Sequence, residues 1–355
     1  MSDFRIVPYG HEKLNDVKAL WRERYSEDEV ERRSQIFEWF ALGNPVLDEQ
    51  HPPYWLLFDG DRAIGIQGQA PWAFALRGQR EDVSVAHDIF VSADYRGKGI
   101  GTILLKGVGE RRSELTITLW ANEASQRLLR NSGWTFIDDF FPYAKVYDPR
   151  WRLTPRFGVL APAVAALARV ALRARERLRK KASRAGYRFE PIDRFGAEFD
   201  ELFDSVVGRL DAIAVRDSRY LNWKFVDKPS ADYHRIAART NDGSLAGYIV
   251  FCTREEEGER FGVLLDFLAD PDGRAFPALV EHALELLGPE RVSVVRVACT
   301  EPRLAAQLRE LGFSLEREPL DCIIRNWQGR VDERWTQSAR HWYLTFSDGD
   351  GDVWA

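Results

Sequence analysis

The spacing of apolar residues changes repeatedly along the chain, and the changes predict strands that alternate with helices. Residues 54–68, YWLLFDGDRAIGIQG, contain two strand-like runs around Asp-Gly-Asp, which is typical of a β-hairpin. Residues 83–105 combine a β-branched strand, a short turn, a glycine cluster and the start of a helix. This order of elements predicts an α/β (α+β) fold with a central mixed β-sheet flanked by helices.

The same order of elements occurs a second time in the C-terminal half. Trp39 in IFEWFALGNP matches Trp223 in YLNWKFVDKP 184 residues later, and Asp88 in HDIFV matches Asp266 in LDFLA 178 residues later. Similar offsets at separate places indicate a duplication. We therefore predict two tandem domains of one fold, at residues 1–148 and 187–355.

A basic segment at 149–186 connects the two predicted domains. Residues 150–188 hold twelve Arg or Lys and one acid, in a chain whose net charge is −5. Apolar residues recur there at helical spacing, which predicts an amphipathic helix: Leu160, Val164, Leu167, Ala171, Ala174 and Leu178. Two interpretations stay open, a connector packed on one domain and a helix at 157–184 that lies on an anionic membrane surface.

Composition narrows the class of protein. The chain has 355 residues, of which 45% are hydrophobic and 30% charged, enough for packed cores. Three cysteines, with no CxxC pair, and six histidines, with no HxH or HExxH pattern, give no support for a disulfide framework or a metal site. Because the positive charge is confined to one segment, no nucleic-acid partner is expected. The N-terminus has no pattern of a secretory signal, so a cytoplasmic location is expected, with the inner face of the membrane as a peripheral contact.

The glycine cluster predicts an anion site. Gly97, Gly99 and Gly101 lie between a strand and a helix, where glycines allow a close backbone approach and the first amides of the helix converge on an anion. A pyrophosphate fits such a turn. The segment contains no GxxxxGK[ST], and Thr102 stands where the dinucleotide fingerprint needs glycine.

Arg96-Gly97-Lys98-Gly99-Ile100-Gly101 instead resembles the R/Q-x-x-G-x-G/A loop of the GNAT superfamily of acyl-CoA-dependent N-acyltransferases. A second segment of the chain, TITLWANEASQRLLRNSGWTF at 116–136, is similar to the next strand, the Asn and the helix of that superfamily. The resemblance covers residues 3–147 with specific motifs and residues 187–346 by element order. The second copy has Asp270 and Asp272 in its loop, so only the N-terminal domain is expected to bind coenzyme A.

The resemblance implies acetyl-CoA as co-substrate. The amides of 96–102 would bind its pyrophosphate, strand backbone would pair with the pantetheine, and the Val91 amide or its neighbour would stabilise the thioester oxyanion. The full set of implied contacts is Ile89, Val91, Arg96, Gly97, Lys98, Gly99, Ile100, Gly101, Thr102, Asn122 and Ser125. Asn122 is equally well explained as a helix cap.

The sequence constrains the catalytic acid and base less than it constrains the coenzyme A contacts. His87 and Asp88 are nearest to the thioester, and strand alternation predicts that only one of them points at the acceptor. Leu129 stands where many GNAT members have the tyrosine that protonates the leaving thiolate. Tyr95 or Tyr143 would serve instead, or the thiolate leaves without an acid.

Three functions follow as hypotheses. The first is an N-acetyltransferase that acts by direct attack of a small-molecule primary amine, an amino sugar being one candidate. The second is an aminoacyltransferase of the peptidoglycan-bridge type, which needs no phosphate loop. The third is a non-catalytic, membrane-associated protein that binds coenzyme A. The acidic tail at Asp348, Asp350 and Asp352 is interpreted as a solvated end, the alternative being a face for a cationic or polyhydroxyl acceptor.

Overall fold

The computed structural model describes residues 4–47, 52–109, 115–149 and 184–349, the last with gaps at 230–231, 257, 289–290, 328 and 330. Between 150 and 183 it describes only 165–168, 170–171 and 174, all helical. Leu167 and Val170 are 75% and 67% exposed. Most of the predicted basic helix at 157–184 lies outside the described residues, and its contact with a membrane stays a prediction.

The N-terminal half follows the predicted order of strands and helices. Two of its helices begin at a side-chain cap. The Ser26 hydroxyl accepts from the Glu29 backbone amide, and the Asn122 side chain accepts from the Ser125 backbone amide. The elements are β1 (Phe4–Pro8), α1 (Leu14–Arg22), α2 (Glu27–Gly43), β2 (Tyr54–Asp59), β3 (Arg62–Leu76), β4 (Gln79–Val91), α3 (Ile100–Gly109), β5 (Leu115–Leu119), α4 (Glu123–Asn131), β6 (Thr135–Ile137) and β7 (Pro142–Val146).

The C-terminal half repeats this order with one additional short strand in its first part and one at its end. Its elements are β8 (Tyr187–Pro191), α5 (Ala197–Val207), β9 (Ala212–Ala214), α6 (Ser218–Phe225), β10 (His234–Thr240), β11 (Leu245–Glu256), β12 (Glu259–Ala269), α7 (Ala275–Leu287), β13 (Val294–Ala298), α8 (Pro302–Glu310), β14 (Ser314–Leu315), β15 (Cys322–Asn326) and β16 (Trp342–Tyr343). The predicted fold class, two mixed sheets flanked by helices, is confirmed. Among the described helices, none is both long and apolar enough to cross a bilayer.

Each sheet contains strands from both halves of the chain. The first sheet runs β1-β2-β3-β4-β5-β15-β6, with β9 beside β3 and β16 beside β9, and the second runs β14-β7-β13-β12-β11-β10-β8. Strand β7 therefore belongs to the second sheet and β15 to the first. The β4–β5 and β12–β13 pairs are parallel, while their neighbours are mostly antiparallel. The predicted boundaries at 148 and 187 do not coincide with the division between the sheets.

The two tryptophans that identified the repeat meet where the halves pack together. The Trp39 and Trp223 rings stack with centroids 5.1 Å apart and planes at 23°. The Trp39 Nε1 donates to the Trp223 carbonyl at 3.2 Å, and the Trp223 Nε1 donates to the Trp39 carbonyl at 3.4 Å. This reciprocal contact joins α2 to α6.

A buried ionic cluster fixes the end of the described chain to the second sheet. The Arg216 guanidinium, fully buried, donates to Asp266 at 3.1 Å and to Asp348 at 2.8 Å. The Thr345 hydroxyl donates to Asp266 at 2.9 Å. Asp348 was expected in a solvated tail, and that expectation is wrong, because the carboxylate has a buried cation as its partner.

Replacing Arg216 with methionine is expected to lower the free energy of unfolding by about 3–5 kcal/mol, since it leaves two carboxylates buried without a cation. Urea denaturation measures the change. Arg209→Met is the matched control, because the exposed Arg209–Asp270 pair, 2.6 Å apart, should contribute about 1 kcal/mol or less. Equal costs for the two variants would contradict the role given to the cluster.

Candidate functional site

A cleft opens where the two parallel strands of the first sheet separate. Strands β4 and β5 pair at Ser84 with Thr116 and at Val85 with Ile117 only. Beyond that point β5 continues to pair with β15 on its other side. The cleft has a volume of about 290 Å³ and is lined from α1, α2, β4, β5 and α4. This volume is close to the lower end of the range that is typical of small-molecule sites.

A β-bulge shapes the β4 side of this cleft. Gly68 pairs with His87 and Ile66 pairs with Phe90, so that two residues of β4, Asp88 and Ile89, lie opposite one residue of β3. Asp88 has a φ of +47°, unusual for a residue with a side chain. Because the bulge interrupts the alternation, both His87 and Asp88 line the cleft. That only one of the two side chains points at the acceptor stays a prediction.

Two neighbours hold the Asp88 carboxylate. The Tyr54 hydroxyl donates to its Oδ2 at 3.0 Å, and the His87 Nδ1 lies 3.2 Å from the same oxygen. The Asp88 side chain is 27% exposed, whereas the His87 side chain is fully buried. A positioned, partly solvated carboxylate at the cleft can bind an ammonium group or accept its proton.

The His87 imidazole occupies a space that glycine creates. A Cβ built on Gly68 would lie 2.2 Å from the His87 Cε1. The ring also packs edge-on against Phe40 and Tyr54, each with centroids 4.8 Å away. Within the described residues its Nε2 has no hydrogen-bond partner. This packing holds the ring beside Asp88.

The predicted anion turn is open. Strand β4 ends at Val91 and α3 begins at Ile100, and between them Gly97 and Gly99 have φ of +73° and +79°. A Cβ at either glycine would find no atom within 4 Å. The amides of Thr102 and of Ile103 donate to the Gly99 carbonyl at 3.1 Å. The Thr102 amide is therefore engaged within the helix, and the anion site narrows to the amides before it.

The basic residues of the turn contact their own strand and loop. The Arg96 Nε donates to the Val91 carbonyl at 3.2 Å. This carbonyl is one of the strand groups that were expected to pair with the pantetheine. The Lys98 ammonium lies 5.3 Å from the Tyr95 ring centroid. Both cations stay beside the glycines, where they raise the positive potential. Ile100 is buried under the turn and anchors α3 to the sheet.

The second predicted motif forms the opposite wall of the cleft. Asn122 and Ser125 both line the cleft, and the Asn122 Oδ1 accepts from the Ser125 amide at 2.9 Å. The structure thus gives Asn122 the capping role. Leu129 is buried and lines the cleft, so the α4 wall carries no acidic hydroxyl at that position.

The tyrosines named as possible acids are elsewhere. Tyr143 lies on β7 in the second sheet, where burial raises its pKa and its hydroxyl accepts from Arg309 at 2.9 Å. Because β7 belongs to the second sheet, Tyr143 lies away from the cleft. The expectation of a catalytic Tyr143 is therefore not supported. The Tyr95 hydroxyl donates to Asp59 at 2.9 Å, also outside the cleft.

The sequence analysis missed the residues that α1 and α2 bring to the cleft. These lining residues are Trp21, Arg24, Tyr25 and Arg33. No motif precedes them, and only their position after the first strand of a GNAT-like order would have suggested a role. Tyr54 was missed as well, although it stands at the start of the predicted hairpin.

The equivalent place in the C-terminal half is filled. The Tyr248 hydroxyl donates to Asp266 at 2.7 Å, as Tyr54 does to Asp88, but Arg216 occupies the space beyond. In the loop, the Asp270 carboxylate accepts from the Asp272 amide at 3.0 Å, and the Asp270 carbonyl accepts from the Gly273 amide at 2.9 Å. The amides that an anion would need thus donate hydrogen bonds to oxygen atoms of the chain itself. Across the described parts of both halves, no cluster of three or more His, Cys, Asp or Glu could hold a metal ion.

Comparison with known proteins agrees with this geometry. Residues 14–134 match the model of the acetyltransferase (GNAT) family. No curated protein matches the chain by sequence.

Solved structures of GNAT proteins share the fold over most of the chain. A GCN5-related N-acetyltransferase from Anabaena variabilis is 13% identical, with 92% of this chain and 73% of that one covered and a TM-score of 0.62. A probable N-acyltransferase from Enterococcus faecalis is 13% identical over the same shares, with a TM-score of 0.61. Saccharomyces cerevisiae N-myristoyltransferase with bound myristoyl-CoA is 14% identical, with 92% and 84% covered and a TM-score of 0.57. At these identities the likeness establishes the fold.

Gly68→Ala should displace the His87 ring from Asp88 and cost about 1–3 kcal/mol of stability, because the added methyl overlaps the imidazole. Urea denaturation measures the cost, and imidazole NMR shifts report the displacement. Gly208→Ala is the control, since a Cβ there meets nothing within 4 Å and its φ is −66°. An unchanged His87 signal in Gly68→Ala would show that the ring is not held as described.

Proposed function

Residues 14–134 form a domain of the GNAT family, and from this premise we propose that the protein is an acyl-CoA-dependent N-acyltransferase. It transfers an acetyl group from acetyl-CoA to the primary amine of a small molecule. The observation that carries the proposal is the combination, in one half of the chain, of an open glycine turn at 97–99 and a cleft with a positioned carboxylate, Asp88.

The proposed contacts of acetyl-CoA extend from the glycine turn to the gap between β4 and β5. The amides of Gly97 to Gly101 bind the pyrophosphate at the start of α3, with Arg96 and Lys98 beside it. The pantetheine follows the exposed edge of β4 at Ile89, where β5 has separated from it, and pairs with strand backbone. Asn122 and Ser125 line the far wall. This path brings the thioester into the cleft next to Asp88.

The proposed reaction needs no covalent enzyme intermediate. Asp88 binds the acceptor as an ammonium ion and takes one proton from it, and His87 and Tyr54 keep the carboxylate in place. The amine nitrogen then forms a bond to the thioester carbon, and an amide of β4, at Val91 or a neighbour, stabilises the oxyanion. The C–S bond breaks next. Since Leu129 offers no proton, the thiolate leaves as the anion, which a thiol pKa near about 8.5 permits, and the acetylated nitrogen releases its second proton to water.

A short acyl group is part of the proposal. The cleft of about 290 Å³ has to hold both the reacting end of the thioester and the acceptor, and Leu128 and Leu129 close it on the α4 side. An aminoacyltransferase of the peptidoglycan-bridge type would not need an open phosphate-binding turn. A non-catalytic protein would not need the Asp88 carboxylate to be held in place by Tyr54 and His87. Both are therefore less well supported than acetyl transfer.

Gly99→Asp should lower the affinity for acetyl-CoA at least tenfold, because the new carboxylate repels the pyrophosphate. Isothermal titration calorimetry at moderate salt measures the affinity. Gly99→Asn is the matched control: asparagine tolerates the φ of +79° and has nearly the same shape, so most of the affinity should remain. Equal affinities in the wild type and Gly99→Asp would remove the turn from the site.

Asp88→Asn should reduce kcat by about 10²–10⁴, since the amide cannot accept the ammonium proton. Acetylation of a panel of primary amines, followed by release of free thiol, measures the rate. Affinity for acetyl-CoA should change less than twofold, because the carboxylate faces the acceptor. Undiminished turnover in Asp88→Asn would exclude Asp88 as the base.

A further inference from the structure

One buried amide in the cleft has no part in the reaction as described so far. Gln67, on β3, lines the cleft and is only 1% exposed. Its Oε1 is buried and has no hydrogen-bond partner, and no hydrogen bond joins its Nε2 to the described residues either. Because most buried polar atoms in proteins have a partner, an amide without one at the wall of a cleft indicates that a ligand supplies it.

Gln69 provides an internal comparison. It lies two residues further along β3, on the same face of the sheet, and it is also 1% exposed. Its Nε2 donates to the Thr116 Oγ1 at 3.4 Å, and it is not among the residues that line the cleft. The two glutamines share their strand, face and burial. They differ in that one amide is used within the protein and the other is available to a ligand.

The face of β3 that carries Gln67 is the face toward α3 and α4. Gly65 is on this face, and a Cβ built on it would lie 3.4 Å from the Leu104 Cδ2 of α3. Leu105 of α3 and Leu129 of α4 also line the cleft. The proposed path of acetyl-CoA begins at the first turn of α3. Gln67 is therefore on the side from which the thioester enters the cleft.

The Asp88 carboxylate is held from the opposite face of the sheet. Tyr54 and His87 both pair with Gly68, the next residue of β3 after Gln67. Their side chains are therefore on the face opposite Gln67, and both contact the Asp88 Oδ2. In the ladder, Gln67 lies opposite the bulge that contains Asp88. The free amide and the held carboxylate are thus at one level of the cleft, on its two sides.

We propose that the Gln67 amide binds the thioester end of acetyl-CoA and that its Nε2 donates to the carbonyl oxygen of the thioester. This inference rests on the proposed function and adds a catalytic residue to it. Acetyl-CoA has one acceptor and one donor at this end, the thioester carbonyl and the N–H of the amide two carbons from the sulfur. A glutamine side chain offers one group of each kind in return, so the Oε1 accepts from that N–H.

The two sides of the sheet then have separate tasks. The amine approaches from the side of Asp88, and the thioester is presented from the side of Gln67. As the bond between nitrogen and carbon forms, an electron pair of the carbonyl moves onto its oxygen, where the Gln67 Nε2 and the β4 amide stabilise the charge. The pair returns when the C–S bond breaks. A buried side-chain donor suits this task because its orientation is set before the charge develops.

Infrared difference spectroscopy of the full chain with acetyl-CoA, labelled with ¹³C at the thioester carbonyl, tests this contact without an acceptor. A hydrogen bond weakens the C=O bond, so the carbonyl band of the bound thioester should lie at lower wavenumber in the wild type than in Gln67→Met. Gln69→Met is the matched control and should keep the wild-type band. The same band position in the wild type and in Gln67→Met would overturn the inference.

Steady-state kinetics measures what the contact contributes. Gln67→Met should lower kcat by about 10²–10³, the usual loss for one donor to an oxyanion, and leave KM for the amine within about twofold. Gln69→Met should keep kcat within about twofold of the wild type. An increase in KM for the amine with unchanged kcat would place the Gln67 amide on the acceptor instead and refute the assignment.

Urea denaturation distinguishes a ligand-binding amide from a structural one. Gln67→Met should leave the denaturation midpoint unchanged or raise it, because methionine removes a buried polar group that has no partner. Gln69→Met should lower the midpoint, because it breaks the hydrogen bond to Thr116. Equal losses in the two variants would contradict the role given to Gln67. Gln67→Leu repeats all three measurements if the methionine variant does not fold.

Calorimetric titration of acetyl-CoA into the wild type separates the two levels of the argument. No binding would refute the proposed function, and the inference with it. Binding together with an identical carbonyl band in the wild type, Gln67→Met and Gln69→Met would refute the inference alone and leave the proposed function standing. Binding with a band that moves only in Gln67→Met supports both.

Discussion

The exchanged strand β15 is the constraint on which the cleft depends. A parallel pair that separates leaves the backbone groups of both strands without partners along the gap. Here β5 continues beyond Ile117 because β15, from the other half, pairs with it from Leu115 to Leu119 and also pairs with β6. The edge of β5 toward β4 can then stay open without loss of the strand. The second half thus contributes directly to the site, through backbone hydrogen bonds rather than through a catalytic side chain.

The duplicated halves use one polar pair in two ways. In each half a tyrosine hydroxyl donates to an aspartate beside an irregular point in the strand ladder, Tyr54 to Asp88 and Tyr248 to Asp266. The first aspartate faces a cleft. The second is completely buried with Arg216, and its charge is balanced there. Loss of either partner of such a buried pair would leave an uncompensated charge.

Some features could be predicted from the sequence because local chemistry determines them. The glycine turn needs φ values that favour glycine, and Asn122 caps α4 through an atom three residues away. The bulge at Asp88 could not be predicted, since a bulge depends on the register between two strands and alternation is the default expectation. The position of Tyr143 could not be predicted either, because no local pattern shows that β7 pairs with the other sheet. The position of Trp21, Tyr25 and Arg33 at the cleft depends on how α1 and α2 pack against the sheet, which no local pattern encodes.

Trp120 lines the cleft and also contacts the second half of the chain. It follows β5 with a φ of +66°, a conformation that costs a bulky residue about 1–3 kcal/mol and so requires compensation. The indole stacks on Phe346, with centroids 5.6 Å apart and planes at 26°. Trp120 and Phe346 also line a second cavity of about 280 Å³ beside the cleft. Phe346 lies between Thr345 and Asp348, which the Arg216 cluster holds, so the buried ions of one half keep in place the aromatic wall that bounds the cleft of the other.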